Sequence, residues 1–344
     1  MRHSNTVVVT SISAPTQALK EYARGCQLGG GSLILIGDDA SLADFHLEGC
    51  DYYDVSRQKT VDLRIAALAP TASYARKNIG YLLAMRARPP YILESDDDNL
   101  PLPAFWDSRC KRVVAPRLAN AGWVNIYRYF TTQNVWPRGF PLDLIHAEVP
   151  DRSQLPEVET VCPIQQGLAD GDPDVDAIYR MVMPGEVQFF DHGQVILAEK
   201  SRCPFNSQNT AWWPECYQLM YLPATCSMRM TDIWRSFIAQ RIAHLNGWGI
   251  LFESPTVHQA RNAHNLMCDF KMETAGYLHN SELVLRLENL PLRAGEQHIG
   301  DDMRACYEEL VVAGYLGRGE LELVDAWLHD CAAVAQPRAF SASA

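Results

Sequence analysis

Short β-branched or apolar runs alternate with helix-compatible segments through the first hundred residues. This rhythm constrains the fold more than any other feature, because it favours a parallel sheet with helices packed on its faces. Residues 7–12 are a β-branched run closed by Ser13, Ala14 and Pro15, and residues 16–24 suit a helix. Gly29, Gly30 and Gly31 make a break, and residues 33–36 form a second apolar strand ending at Gly37, Asp38 and Asp39. Residues 73–85 show helical periodicity in Tyr74, Ile79, Leu82 and Leu83, with Arg76 and Lys77 on the first turns. They lead into a third apolar run, Tyr91, Ile92 and Leu93, then Glu94 and Ser95, and finally Asp96, Asp97 and Asp98. Two strand ends thus carry aspartates, at the edge where open α/β sheets bind ligands.

Three adjacent carboxylates repel one another and need a compensating partner unless water screens them fully. A divalent cation would supply it, and oxygen-only ligands suit Mn²⁺ or Mg²⁺, held by one or two carboxylates and suited to gripping a diphosphate. The competing reading is a solvated acidic turn, since aspartate is common in turns for reasons unrelated to metals. The residues alone do not decide which aspartate touches an ion. On an extended chain neighbouring side chains point to opposite sides, which puts Asp96 and Asp98 on one face and Asp97 on the other. Asp96 and Asp98 are therefore the expected metal ligands, with Asp97 turned elsewhere in the nucleotide site.

With 344 residues the chain suffices for one large α/β domain with additions, or for two domains. Hydrophobic residues make up 47% and charged residues 21%, which argues for a packed globular chain. The formal charge of -11 gives no general attraction to a phosphate backbone, so nucleic acid is not expected as a partner. The ten cysteines include no CxxC pair, and buried free thiols are expected. Neither a secretory leader nor an apolar run of about 20 residues is visible, so no transmembrane segment and a cytoplasmic location are expected.

Residues 101–172 are rich in proline, aromatics and turn residues, and suit short strands and loops. Asp172, Asp174 and Asp176 mimic part of a calcium loop but lack its glycine and final glutamate, and read instead as residues at a helix N-terminus. From Thr231, the positions of Ile233, Trp234, Phe237, Ile238 and Ile242 describe an amphipathic helix with Asp232 in its first turn. A polar stretch holds His258, Arg261, Asn262 and His264, and the C-terminal third is mostly helical. Three parts are expected: residues 1–270, a helical extension over 271–335, and a frayed tail over 336–344.

Several segments occur in one order: VVVTSISAPT from Val7, KNIGYLLAM from Lys77, SDDDN from Ser95, WPRGFPLDLI from Trp136, QQGLADGDPDVDAIYR from Gln165, YLPATCSMRMTDIWRSFIAQR from Tyr221 and VHQARNAH from Val257. Together they resemble the STELLO-type glycosyltransferase family and, more distantly, the plant reversibly glycosylated polypeptides that act as UDP-arabinopyranose mutases. The resemblance implies an α/β fold of GT-A type: a Rossmann-like, nucleotide-sugar-binding mixed sheet flanked by helices, with a helical C-terminal extension. Residues 1–270 would be the transferase domain. It further implies a metal-dependent transfer of a sugar from a nucleotide diphosphate-sugar, UDP-linked, to a hydroxyl acceptor such as a glycan, a lipid-linked glycan or a small molecule.

Under that resemblance Thr10 and Ser11 line the nucleoside and Asp38 or Asp39 meets the base or ribose, against a plain capping or turn role. Arg76 and Lys77 approach the phosphates or face solvent, and Arg138 beside Gly139 directs a guanidinium at phosphate or satisfies carbonyls. Asp232 corresponds to the acidic position that opens an acceptor-side helix, where TDIW resembles the DDMW of mutase-like relatives. It is the general base if the reaction inverts configuration, or holds an acceptor hydroxyl if it retains. The metal shell gains a C-terminal histidine, His258 by its place in the motif or else His264. Two alternatives stay open: a nucleotide-sugar mutase, and a non-catalytic scaffold that keeps the fold.

Overall fold

The structure is a computed structural model that describes residues 5–183, 185–190, 193–260 and 265–336. The strands are β1 (Thr6–Thr10), β2 (Ser32–Ile36), β3 (Cys50–Tyr53), β4 (Ile92–Ser95), β5 (Asn99–Pro101), β6 (Arg112–Leu118), β7 (Gly122–Trp123), β8 (Glu157–Val161), β9 (Ile164–Gly171), β10 (Gln194–Leu197), β11 (Ser201–Arg202), β12 (Asn209–Trp212) and β13 (Ile250–Gln259). The helices are α1 (Gln17–Gly29), α2 (Val55–Gln58), α3 (Arg64–Leu68), α4 (Lys77–Arg86), α5 (Ala177–Val182), α6 (Thr231–Leu245), α7 (Leu266–Asn289), α8 (Ile299–Val312) and α9 (Glu320–Ala335).

One mixed sheet runs β3-β2-β1-β4-β12-β9-β13-β10-β6-β8, with β5 added against β13; β7 and β11 pair separately. The first four strands are parallel, as the strand and helix rhythm predicts. β12 then enters antiparallel between β4 and β9, and β13 runs parallel to β9. The C-terminal ends of β1, β2, β4, β9 and β13 therefore meet along one edge.

Alternation along β1 divides the core. Val7 and Val9 face α1 with Leu33, Leu35, Leu93 and Val257, while Val8 faces α4 with Ile34, Ile36, Ile92 and Trp212. α1 begins at Thr16, whose hydroxyl accepts from the Leu19 amide, and ends at Gly30 in the left-handed region, φ 75°.

α6 departs from the amphipathic helix read in the sequence, because it is buried almost all round by α7, α8 and the sheet side of the core. Its buried polar side chains bond within the protein, although Arg235 Nε finds no partner among the described residues. Arg235 grips Glu94 of β4 through two nitrogens at 2.8 and 2.9 Å, and Trp212 Nε1 donates to the same carboxylate at 2.8 Å. The C-terminal helices belong to the same core: α7 runs unbroken across position 270, and Tyr307 and Trp327 join the cluster that holds α4 and α6. Of the expected tail, residues 337–344 lie outside the described residues. Among the described residues no helix is long and apolar enough to cross a membrane.

Gly80 lets α4 lie directly on the sheet. A Cβ there would stand 2.7 Å from Val8 Cγ1 and 2.8 Å from Ile36 Cγ1. Gly80→Ala should destabilise the fold by about 1–2 kcal/mol in urea denaturation, the overpacking outweighing the helix propensity it gains. An unchanged or raised midpoint would show that the helix can lift without cost.

Candidate active site

β4 ends at Ser95, and the chain then reverses in a turn closed by the Asn99 amide on the Asp96 carbonyl at 3.3 Å. The alternation expected of an extended strand therefore stops before the triplet is complete, and the three carboxylates go to three sets of partners. Asp96 Oδ1 accepts from Tyr74 Oη at 2.7 Å and from Lys77 Nζ at 3.0 Å, on the α4 side of the sheet. Asp97 turns to the α1 side, where the Ser11 hydroxyl donates to it and Thr16 Oγ1 donates to its carbonyl at 2.6 Å. Burial raises the Asp97 carboxyl above its usual range against the lowering effect of Ser11. Asp98 Oδ2 accepts from Gln259 Nε2 at 2.9 Å, and its carbonyl takes the Ala260 amide. Gln259 is held in turn by the Gln208 amide.

The basic residues assigned to phosphate face inward. The Lys77 side chain is 0% exposed, and its ammonium donates to Ser95 O at 2.6 Å, Tyr74 Oη at 2.8 Å, Asp96 Oδ1 at 3.0 Å and Ser207 O at 3.2 Å. Arg76 is enclosed by the 58–70 segment, donating to Gln58 Oε1 at 2.8 Å and Ala69 O at 3.0 Å. Arg138 follows the expected tight turn, with Gly139 at φ 86°, but its guanidinium forks onto Asp174 at 2.7 and 2.8 Å and reaches both Asp232 oxygens at 3.0 Å. Thr10 and Ser11 do stand at the exit of β1, beside the triplet. Asp38 accepts the Ala72 and Ser73 amides at 2.9 Å each, a loop-capping role, and Asp39 is exposed next to it.

Asp232 opens α6 in the first turn and is buried. Besides Arg138 it takes the Ser207 amide and hydroxyl, both at 3.3 Å. Ser207 Oγ lies 2.6 Å from Tyr74 Oη, which also touches Asp96. A continuous network therefore joins the strand-end aspartate to the helix-start aspartate. Tyr74 and Ser207 were missed by the sequence reading. Tyr74 carried one signal, its place one helical turn before Lys77, whereas Ser207 meets its partners across loops that no local pattern reveals.

His258 lies on β13 beside Gly171 and opposite Asp170 in register, so it occupies the strand face away from Gln259, the residue that holds Asp98. It lines a cavity of about 620 Å³ with Asp172, Arg180 and Leu266. His264 lies outside the described residues. No group of three or more His, Cys, Asp or Glu side chains among the described residues is arranged as a metal cage. Of the three later aspartates only Asp176 serves the helix start as expected, capping α5, whereas Asp174 binds Arg138 and Asp172 pairs with Arg180.

Comparison with known proteins agrees with the resemblance read from the motifs. The family model described as STELLO glycosyltransferases matches residues 229–338. The probable glycosyltransferase STELLO2 of Arabidopsis thaliana is 25% identical over 362 residues, covering 99% of this chain and 46% of that protein. STELLO1 of the same plant is 26% identical, covering 97% of this chain and 45% of that protein. The chain thus spans about half the length of these relatives. Among solved structures, M. tuberculosis glucosyl-3-phosphoglycerate synthase is 13% identical with a TM-score of 0.38, covering 81% of this chain and 80% of that one. A structure described as a mycobacterial protein is 12% identical with a TM-score of 0.39, covering 81% and 74%. The fold assignment rests on the chain's own mixed sheet.

Asp176 gives the site region a pH signature. Burial pushes its carboxyl from 3.8 up to about 6, although the Tyr179 amide and the Trp136 indole both donate to it. The folded state holds this proton more tightly than the unfolded chain, so the associated stability is complete below about pH 4 and lost as the pH rises through 6. Asp176→Asn should lack that loss. Its stability relative to the wild type should improve by on the order of 2–3 kcal/mol between pH 4 and pH 7 in urea denaturation. A pH-independent difference would show that Asp176 ionises normally.

Proposed function

We propose that the chain is a metal-dependent glycosyltransferase that moves a sugar from a UDP-linked donor to a hydroxyl acceptor. One observation carries the reading: Asp96, at the end of β4, and Asp232, at the head of α6, belong to a single hydrogen-bonded network at the C-terminal edge of the sheet. The similarity to STELLO glycosyltransferases over the whole chain supports the same class of chemistry.

The donor set fits a hard divalent cation. Asp96 has 29% of its side chain exposed and takes its two donors on Oδ1, and Asp98 is a second, partly exposed carboxylate two residues on. Asp96 and Asp98 would hold Mn²⁺ or Mg²⁺, with water and diphosphate oxygens completing the shell in place of a third protein ligand. When bound, the cation supplies positive charge to the departing nucleotide. Thr10 and Ser11 at the β1 exit would border the nucleoside, while Lys77 and Arg76 shape the floor beneath without reaching it. His258 would stand beside the cavity it lines, on the strand face away from Gln259.

Asp232 receives compensating charge from Arg138, which is itself anchored on Asp174, so the carboxylate is held in one orientation. In an inverting reaction it would take the acceptor proton; in a retaining one it would fix the acceptor hydroxyl.

Asp98→Ala should weaken Mn²⁺-dependent UDP binding by tenfold or more in calorimetry in a protein that still folds cooperatively, its stability lowered by about 1–2 kcal/mol through the lost Gln259 bond, and equal affinity would remove Asp98 from the metal shell. Asp232→Asn should lower kcat by at least about 100-fold, the scale of lost acid–base catalysis, with donor KM changed by no more than about fivefold. A proportional loss of both would mark Asp232 as structural. Assays with UDP-sugars and Mn²⁺ without acceptor should give slow UDP release, whereas ring-form interconversion would identify a mutase.

A further inference from the structure

The hydroxyl groups between Asp96 and Asp232 are short of protons. Tyr74 Oη lies 2.7 Å from Asp96 Oδ1 and 2.6 Å from Ser207 Oγ, and Ser207 Oγ lies 3.3 Å from Asp232 Oδ2. An ionised carboxylate only accepts, and each hydroxyl has one proton to give. Lys77 Nζ, 2.8 Å from Tyr74 Oη, can only donate to it. Three contacts therefore share two protons. Leaving the 2.6 Å contact without one would set lone pairs of two oxygens against each other.

We propose that Tyr74 and Ser207 are positioning residues through which Asp96 and Asp232 compete for one hydroxyl proton. In one setting Tyr74 donates to Asp96 and Ser207 donates to Tyr74. Asp232 then retains the Ser207 amide and Arg138. In the other setting Tyr74 donates to Ser207 and Ser207 donates to Asp232, and Asp96 retains Lys77. Exchange between them rotates two hydroxyl hydrogens and displaces no heavy atom. A divalent cation on Asp96, a step that rests on the donor-site reading above, withdraws charge from that carboxylate and favours the second setting. Loading the donor side thereby gives Asp232, already oriented by Arg138, one further hydrogen-bond donor, and by linkage the state of Asp232 feeds back on the cation.

The test begins with ligand-free protein. Urea midpoints are measured for the wild type, Tyr74→Phe, Asp232→Asn and the double variant, and the set is repeated in a Ser207→Ala background. Phe leaves Lys77 with three oxygens, and Asn leaves Arg138 on Asp174, so both variants should fold. With Ser207 present the midpoint shifts should not sum; in the Ser207→Ala background they should. Additive shifts in the presence of Ser207 overturn the proposal.

The second arm is calorimetry with UDP and Mn²⁺. Ser207→Ala should change Mn²⁺-dependent UDP affinity by about fivefold, and Tyr74→Phe should abolish that change. Equal affinities in the wild type and Ser207→Ala overturn the coupling to the donor side. If the wild type binds no UDP with Mn²⁺ while the unfolding shifts remain non-additive, the donor reading falls and the proton sharing stands.

Discussion

The buried ammonium of Lys77 is the interaction on which the site depends. A charge removed wholly from water must be surrounded by oxygens, and Lys77 finds four: a carboxylate, a phenol and two backbone carbonyls. Those oxygens belong to the end of β4, the turn before α4 and the loop before β12. One side chain therefore fixes the relative positions of three segments that are distant in sequence. Shortening it would leave Ser95 O and Ser207 O without their donor and Asp96 without its countercharge, a larger cost than the loss of one surface ion pair.

Glu94 and Arg235 repeat the arrangement one layer deeper. The Glu94 carboxylate is fully buried between two Arg235 nitrogens, the Trp212 indole and the Tyr81 phenol. Replacing such a pair with well-fitted apolar residues is often neutral or stabilising, so its value lies less in stability than in registration. It ties β4, β12 and α6 into one relation, and that relation sets the distance between Asp96, two residues beyond Glu94, and Asp232, three residues before Arg235. The same positions that bury charge in the core thus aim the two acids of the site.

The legible part of this architecture was whatever a local period encodes. The apolar runs at residues 7–12, 33–36 and 91–93 gave parallel strands, and Asp176 gave a helix start, because strand alternation and N-capping act over a few residues. Asp232 was legible as a first-turn acid but not as a buried one. The amphipathic pattern of α6 implied a solvated face, but the segment Pro214–Met220 before it and α7 and α8 after it cover that face. The phosphate alternative for Arg138 and Lys77 fails for a related reason, although Arg138 does donate to the Arg229 carbonyl as its other reading held. A cation near an acidic motif looks like a ligand group in sequence, whereas its true partners, Asp174 and Ser207, are chosen by tertiary packing. The face alternation of the triplet failed where the Asn99 amide closes a turn, a bond that no residue pattern announces.

The inward direction of these cations also sharpens the electrostatics of the proposed reaction. A diphosphate approaching the end of β4 meets the partly exposed side of Asp96, Asp97 and Asp98, while Lys77 is fully buried and Arg138 is tied to two carboxylates. Neither cation can turn outward without leaving buried oxygens unsatisfied. Among the described residues Lys77 and Arg138 are thus withheld from the phosphates, and an ion that binds with the donor would supply positive charge there, recruited by the aspartates. Under the proposed reaction such a site would admit a metal-bound diphosphate in preference to a bare one. Selectivity for the complexed donor would follow from where the protein has hidden its own cations.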